Sequence, residues 1–266
     1  MNKTVLITGS TDGIGLVTAK LLASQGHTLL LHGRSLDKLE RARESLSSIK
    51  TVGKIETYVA DLSSLTETKS LAEQVLSDYS GLDVLINNAG VYKTPDSVTS
   101  SGIDIRIMVN TLAPYLLTKR LLKLMNKDSR VINVSSAAQA PVSLSALSGN
   151  VRLEDMAAYS QSKLALIMWT RELAKQLDNG PTLIAVNPGS LLASKMVKEG
   201  FGVQGSDLSI GAEIVSRLAI SADFINSSGQ YFDNDVGSFA SPHPDALDDR
   251  KCQELVAAIE KVLAGL

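Results

Sequence analysis

The chain has 266 residues, 44% of them apolar and 20% charged, with a net charge of −2. That is the composition of a globular protein with ample core, and it offers no electrostatic case for nucleic acid or an anionic lipid surface. The single cysteine, Cys252, excludes an internal disulfide and fits a reducing compartment. No apolar stretch approaches about 20 residues, and the first predicted strand starts close to Met1. The expectation is a cytoplasmic protein with neither signal peptide nor membrane anchor. No linker or charge block divides the chain, so 1–266 is expected to form one domain.

Short β-rich runs alternate with helical patterns. Thr4–Thr8 reads as the first strand, followed by a helix with Ile14, Val17, Leu21 and Leu22 on its apolar face. Leu29–Leu31 reads as the second strand, with Ser35 as N-cap and Asp37 in the first turn of the next helix. Ile55–Val59 is a third strand, and Ser64 and Glu67 read as a capping box. Val84–Ile86, Arg130–Val134, Thr182–Val186 and Gln230–Phe232 are further strands. Long helices are predicted around Ile103–Met125 and Ala157–Leu177, with a closing helix over Leu247–Leu263. Such alternation predicts an α/β fold, a Rossmann-type doubly wound parallel sheet with helices on both faces. Ligands then bind beyond the carboxyl ends of the strands, and the polar and glycine clusters follow directly on predicted strands.

Gly9, Gly13 and Gly15, with Ser10, Thr11 and Ile14 between them, connect the first strand to the first helix. Absent Cβ atoms there let backbone approach a pyrophosphate at a helix N-terminus. An acid about 20 residues further on would bind the ribose hydroxyls of NAD(H). Here Gly33 stands in that place, and Arg34 beside it suits a 2′-phosphate. The reading is NADP(H) as the preferred cofactor, with NAD(H) as the alternative; Arg34 packing on adenine or staying solvated is the plainer possibility. Asp61 and Leu62 are placed to meet the adenine edge, though Asp61 also suits the cap of the next helix.

Tyr159 and Lys163 are four residues apart, about 6 Å along a helix axis and on one face. An ammonium beside a phenol favours the phenolate, which predicts a lowered pKa for Tyr159. Tyr159 then suits general acid/base work at a carbonyl oxygen, and Ser136 suits a hydrogen bond to that oxygen. Asn110, in a helix interior where its propensity is poor, is a candidate to hold a water linking Lys163 to solvent.

In order and spacing, Thr8-Gly9-(x)3-Gly13-Ile14-Gly15, Asn87-Asn88-Ala89-Gly90, Asn110, Ser136, Tyr159-(x)3-Lys163 and Pro188-Gly189 resemble the short-chain dehydrogenase/reductase family. The resemblance covers essentially the whole chain. It implies a catalytic set of Asn110, Ser136 (rather than Ser135), Tyr159 and Lys163. It also implies that Asn88, Ala89, Gly90, Pro188, Gly189 and the backbone of Leu191 bind cofactor along with Tyr159 and Lys163. Arg130–Ser136, Ala158–Leu164, Thr170–Leu173 and the long gap from Ser136 to Tyr159 most resemble the retinol-dehydrogenase-like subgroup. That subgroup commonly uses NADP(H) on bulky apolar carbonyls. The chain departs from it shortly after Pro188-Gly189, where Leu191, Leu192 and Ala193, with Ser194 nearby, stand in place of the usual threonine. It departs again in Thr111-Leu-Ala-Pro114, and the N-terminal membrane anchor of many members of that subgroup is not expected here.

Two segments, around 137–158 and 190–206, are expected to form the substrate loops, the second carrying Leu191, Leu192, Met196, Val197 and Phe201. Their apolar character predicts a small hydrophobic carbonyl or alcohol substrate. Gly200, Gly202 and Gly205 suggest a second loop that closes over the ligand. Neither a metal nor a nucleic acid is expected as a partner. Leu112–Leu124 and Leu164–Trp169 are candidates for an interface in a homo-oligomer. The alternative from another class is a nucleotide-sensing protein that keeps the fold without the chemistry.

Overall fold

The computed structural model describes residues 2–193, 202 and 205–265. Its strands are β1 (Thr4–Ile7), β2 (Thr28–Gly33), β3 (Ile55–Val59), β4 (Val84–Asn87), β5 (Arg130–Val134), β6 (Thr182–Asn187), β7 (Gln230–Asp233) and β8 (Ser238–Phe239). They form one eight-stranded sheet in the order β3-β2-β1-β4-β5-β6-β7-β8. Neighbours are parallel up to β7, and only β8 runs antiparallel. Strand order reverses between β1 and β4, so the crossovers on either side diverge and leave a crevice at the carboxyl ends. This is the doubly wound α/β architecture that the alternation predicts.

The helices are α1 (Gly13–Ser24), α2 (Leu36–Ser47), α3 (Leu65–Asp78), α4 (Ile105–Ile107), α5 (Ala113–Leu121), α6 (Leu144–Leu147), α7 (Asp155–Gln176), α8 (Leu208–Ile220) and α9 (Asp249–Gly265). Their starts follow capping chemistry: Asp12 accepts from the Gly13 N–H at 2.7 Å and Ser35 from the Lys38 N–H at 3.4 Å. Ser64 accepts from the Glu67 N–H at 3.3 Å, as a capping box requires. Glu67 does not return to Ser64, however; its carboxylate accepts from the Asp61 N–H at 2.7 Å and ties the end of β3 to α3.

Alternate strand residues serve opposite faces. Val5, Ile7, Leu29, Leu31, Ile132 and Ile184 lie in one core with α1, α2 and α8. Leu6, Leu30, Leu85, Val131 and Leu183 lie in the other, with α3, α5, α7 and α9. Burial on both faces is why the strands read as nearly unbroken apolar runs.

The helices α6 and α8 and the strand β8 are absent from the expectations above. The helix α8 contains Gly211, where an added Cβ would stand 2.5 Å from Leu192 Cδ1 and 3.2 Å from Pro188 Cβ. A residue that reads as a helix breaker is there to let α8 pack closely on the loop after β6. The two-residue β8 is too short to leave a periodic signal. The long helix expected over 103–125 is broken by a π-helical turn at Met108–Leu112. Of the apolar residues considered for a homo-oligomer interface, Leu117, Leu121, Leu164, Ile167 and Trp169 are buried inside the chain, while Leu122 and Leu124 are partly buried. The helix α9 packs on α7, and its Glu260 accepts from the Tyr115 hydroxyl at 2.8 Å. The α7 residues are thus covered in part by the chain's own C-terminal helix, while α5 packs on α3. Among the described residues no helix is long and apolar enough to cross a membrane.

Candidate active site

A cleft of about 600 Å³ opens over the carboxyl ends of the strands, lined from Gly9 and Arg34 at one end to Tyr159 and Leu192 at the other. The turn between β1 and α1 is held by close approaches that only glycine allows. An added Cβ on Gly15 would lie 2.3 Å from the Gly9 oxygen and 2.5 Å from Asn88 Nδ2. Gly9 itself sits at φ +65° with its Cβ position 2.9 Å from Ala89 Cα. Asn88 stitches this turn to the end of β4: its amide donates to the Thr8 and Gly9 oxygens at 2.9 and 3.1 Å. Thr8 Oγ1 accepts from the Asn88 and Ala89 N–H groups, each at 3.0 Å. The result is a backbone cradle at the N-terminus of α1, shaped for a diphosphate. Gly9, Thr11, Gly13 and Ile14 line the cleft, whereas Ser10 is fully buried and Gly15 lies behind the turn. Those two shape the site without facing it.

Arg34 is exposed and lines the cleft, as do Asp61 and Leu62. Asp61 accepts from the Ser63 N–H at 2.9 Å, so it serves its turn as well. At Gly33 a Cβ would meet the Thr11 methyl at 2.7 Å. An acidic side chain at that position would therefore require Thr11 to move, and the site is built for a residue without one.

Ser135 and Ser136 end β5 and divide their roles. Ser135, 3% exposed, donates to the Lys163 carbonyl at 2.9 Å and anchors α7. The Ser136 hydroxyl instead bonds the Tyr159 phenol and accepts from the Ala138 N–H at 3.1 Å. One turn of α7 separates Tyr159 from Lys163, both buried. The Lys163 ammonium donates to the Val134 oxygen at 2.8 Å and lies 5.8 Å from the Tyr159 ring centroid. The direction of the tyrosine shift differs from expectation. Burial dominates at both groups, pushing the Tyr159 phenol up and drawing Lys163 down to about 8. Loss of hydration outweighs the attraction of an ammonium turned towards a backbone carbonyl. Tyr92 adds to this shelter, its ring 5.2 Å from that of Tyr159.

Asn110 lies within the π-helical turn and is 1% exposed. Its amide bridges elements: Oδ1 accepts from the Val91 N–H at 2.9 Å, while Nδ2 donates to Val91 O at 3.0 Å and Ser162 Oγ at 2.9 Å. The side chain thus joins the loop after β4 to α7, between Tyr159 and Lys163. A Cβ on Gly90 would stand 3.4 Å from both Asn110 Oδ1 and Lys163 Nζ, so the three residues meet at one point. In the same turn the Ala113 N–H bonds Met108 O, and Pro114 contributes no N–H. Pro114 therefore leaves the preceding turn without the N–H a helix would supply there, and the Asn110 amide, expected to hold a water, is engaged by Val91 and Ser162.

The loop after β6 brings Pro188, Gly189 and Leu191 to the cleft. Leu191 has φ 51°, a left-handed conformation. A clamp missing from the sequence reading holds this loop. Asp235 accepts from the Ser190 N–H at 2.8 Å, the Ser190 hydroxyl at 2.5 Å and Asn187 Nδ2 at 2.9 Å. Asn234 Nδ2 donates to Pro188 O at 2.9 Å. Asp235→Ala is expected to raise the KM for dinucleotide several-fold and lower unfolding free energy by about 1–2 kcal/mol. Initial rates and a urea titration would show it; an unchanged KM would mean the loop holds its shape unaided. Ser194, Met196, Val197, Gly200 and Phe201, the other residues of the expected second substrate loop, lie outside the described residues.

Comparison with known proteins agrees with this geometry. A family model of the short chain dehydrogenases matches residues 3–201. Human retinol dehydrogenase 13 is 31% identical over 293 residues, covering 99% of this chain and 85% of its own. Mouse retinol dehydrogenase 12 is 34% identical over 244 residues, covering 86% and 77%. A crystal structure of a Mycobacterium paratuberculosis protein superposes with a TM-score of 0.80 at 28% identity, covering 98% of this chain and 92% of the other. Landomycin C-6 ketoreductase LanV with bound NADP and rabelomycin superposes with a TM-score of 0.68 at 29% identity, covering 87% and 94%. The chain belongs to the short-chain dehydrogenase/reductase family of oxidoreductases, which bind a nicotinamide dinucleotide. Within it, the similarity is to the retinol-dehydrogenase-like subgroup.

Proposed function

We propose that this protein transfers a hydride between NADP(H) and the carbonyl or alcohol carbon of a small hydrophobic substrate, with Tyr159 as general acid/base. The observation that carries this reading is that Ser136, Tyr159 and Lys163 line the same cleft as the glycine turn and Arg34. When bound, the dinucleotide supplies or accepts the hydride. Tyr159, kept protonated by burial, gives its proton to the carbonyl oxygen in reduction and takes one from the alcohol in oxidation. The Ser136 hydroxyl bonds that oxygen and stabilises the charge that develops on it. Lys163 holds the nicotinamide ribose and keeps a positive charge beside the phenol. Asn110 fixes the spacing between the loop after β4 and α7, and its carbonyl takes a water on the path from Lys163 to solvent.

Arg34 opposite a side-chain-free Gly33 supports NADP(H) over NAD(H). A relative crystallised with NADP supports the same choice. Val91, Val109, Ala137, Ala138, Leu191 and Leu192 line the cleft around the phenol and support an apolar substrate. In this reading residues 1–266 form one functional unit, with substrate contacts from the segments around 137–158 and 190–206.

The test is NADPH oxidation against a graded panel, from small aldehydes to aromatic, steroid and retinoid carbonyls, with NADH as control. Turnover of bulky apolar carbonyls with NADPH is expected. Arg34→Ala is expected to raise the KM for NADPH about tenfold or more and to leave that for NADH nearly unchanged. An unaltered NADPH-to-NADH ratio in this variant would remove Arg34 from the specificity argument. Tight NADPH binding with no turnover anywhere on the panel would point to the nucleotide-sensing alternative.

A further inference from the structure

His32 is 3% exposed at the carboxyl end of β2, and both of its ring nitrogens are engaged. Nδ1 accepts from the Gly9 N–H at 3.3 Å, and Nε2 lies 3.0 Å from the Ala60 carbonyl. A carbonyl only accepts and a backbone N–H only donates, so the two contacts together define the neutral tautomer with its proton on Nε2. The main chain of the same residue holds the neighbouring position. The Ser10 N–H donates to His32 O at 3.0 Å, and the His32 N–H donates to Ser10 Oγ at 3.0 Å. One residue therefore fixes both Gly9, at φ +65°, and Ser10.

We propose that His32 is a positioning residue for the dinucleotide: its neutral imidazole accepts the Gly9 N–H and holds the glycine turn in its binding shape. The proposal rests on reading the cleft as a dinucleotide site. An imidazolium has two donors and no acceptor, so protonation would set N–H against N–H at Gly9 and release the turn. The site resists that change, because burial lowers the ring pKa to about 4 against the opposing influence of Ala60 O and Asp61. Of the charged groups on the packed elements, Asp61 at the end of β3 is the one whose field reaches the ring. The Asp12 carboxylate is turned to the Gly13 N–H, Arg34 is exposed, and Tyr58, paired with His32 across β2 and β3, donates its hydroxyl to Asp78.

The test uses the full chain with NADP+ and NAD+ as probes, Kd being read by titration at pH 7.5. His32→Leu fills the space without an acceptor and is expected to weaken both probes about tenfold. His32→Asn puts an amide oxygen in the place of Nδ1 and is expected to bind within about threefold of wild type. Equal weakening in the two variants, or a folded His32→Leu that binds like wild type, would overturn the proposal. Failure of the wild-type chain to bind either probe would instead overturn the dinucleotide reading. Imidazole 15N spectra of the wild-type chain give a measurement independent of variant folding. The chain has three histidines, so His32 is assigned by replacing the others. An unprotonated Nδ1 from pH 8 to pH 5 is expected, and an Nδ1–H tautomer or titration near pH 6.5 would refute the role.

Discussion

Tyr159→Phe is expected to lower NADPH-dependent turnover by about a thousandfold while dinucleotide affinity stays near that of wild type. The substitution keeps the ring that packs against Tyr92 at 5.2 Å and removes only the hydroxyl bonded to Ser136. The fold should be undisturbed, because phenylalanine fills the same buried volume and the Ser136 hydroxyl still accepts from the Ala138 N–H and faces the open cleft. Single-turnover rates and a binding titration on the same preparation separate the chemical step from affinity. A fall of less than tenfold would mean that Tyr159 is not the proton donor. The pH profile adds a second reading of the same site. Burial brings Lys163 to about 8, so its ammonium is present below that pH and is lost above it. The rate of carbonyl reduction should therefore fall as pH rises through about 8. Lys163→Arg, which stays charged, should move that limb to higher pH.

Gly15→Ala should be the most damaging single methyl group added to the glycine turn. Its Cβ would lie 2.3 Å from Gly9 O and 2.5 Å from Asn88 Nδ2. Neither neighbour is free to retreat, since that amide is bonded to the Thr8 and Gly9 oxygens. The turn must open, at a cost of about 2–3 kcal/mol in stability, and dinucleotide affinity should fall about a hundredfold. Gly13→Ala is the control. No atom lies within 4 Å of its Cβ position, and the residue has φ +55°. Only backbone strain of about 1–2 kcal/mol should appear there. Urea unfolding and NADP+ titration on both variants would decide the matter. Equal losses at the two positions would show that conformation, and not the close approach of Gly15 to Gly9, governs the turn.

The elements legible from sequence were those whose signal is local. Ser35 and Ser64 accept the backbone N–H bonds that start α2 and α3. The apolar runs of β1 to β7 are present close to their expected limits. The spacing of Tyr159 and Lys163 survives as one turn of α7 because helical geometry carries it. Illegible were features that depend on a distant neighbour. Gly211 reads as an obstacle to α8 until Leu192 is seen to need its space. The Asp235 clamp on Ser190 joins residues whose sequence neighbourhoods have nothing in common.

Chain order and periodicity alone specified the doubly wound sheet and the rim on which the polar clusters gather, while the resemblance to the family singled out Ser136, Tyr159 and Lys163 as the candidate catalytic residues. Hydrogen-bonding period and side-chain alternation are properties of consecutive residues, and they are printed in the sequence. Packing decided the rest. Burial raises the Tyr159 phenol and lowers Lys163, reversing the direction expected for the tyrosine from charge alone. The Asn110 amide is engaged by Val91 and Ser162, and Pro114 leaves the main chain of that turn short of a donor. His32 is committed to Gly9 and Ala60 although nothing in the run Leu31-His32-Gly33-Arg34 announces it. Desolvation and hydrogen-bond partnership are set by atoms that meet only once the chain has folded, and no local pattern records them.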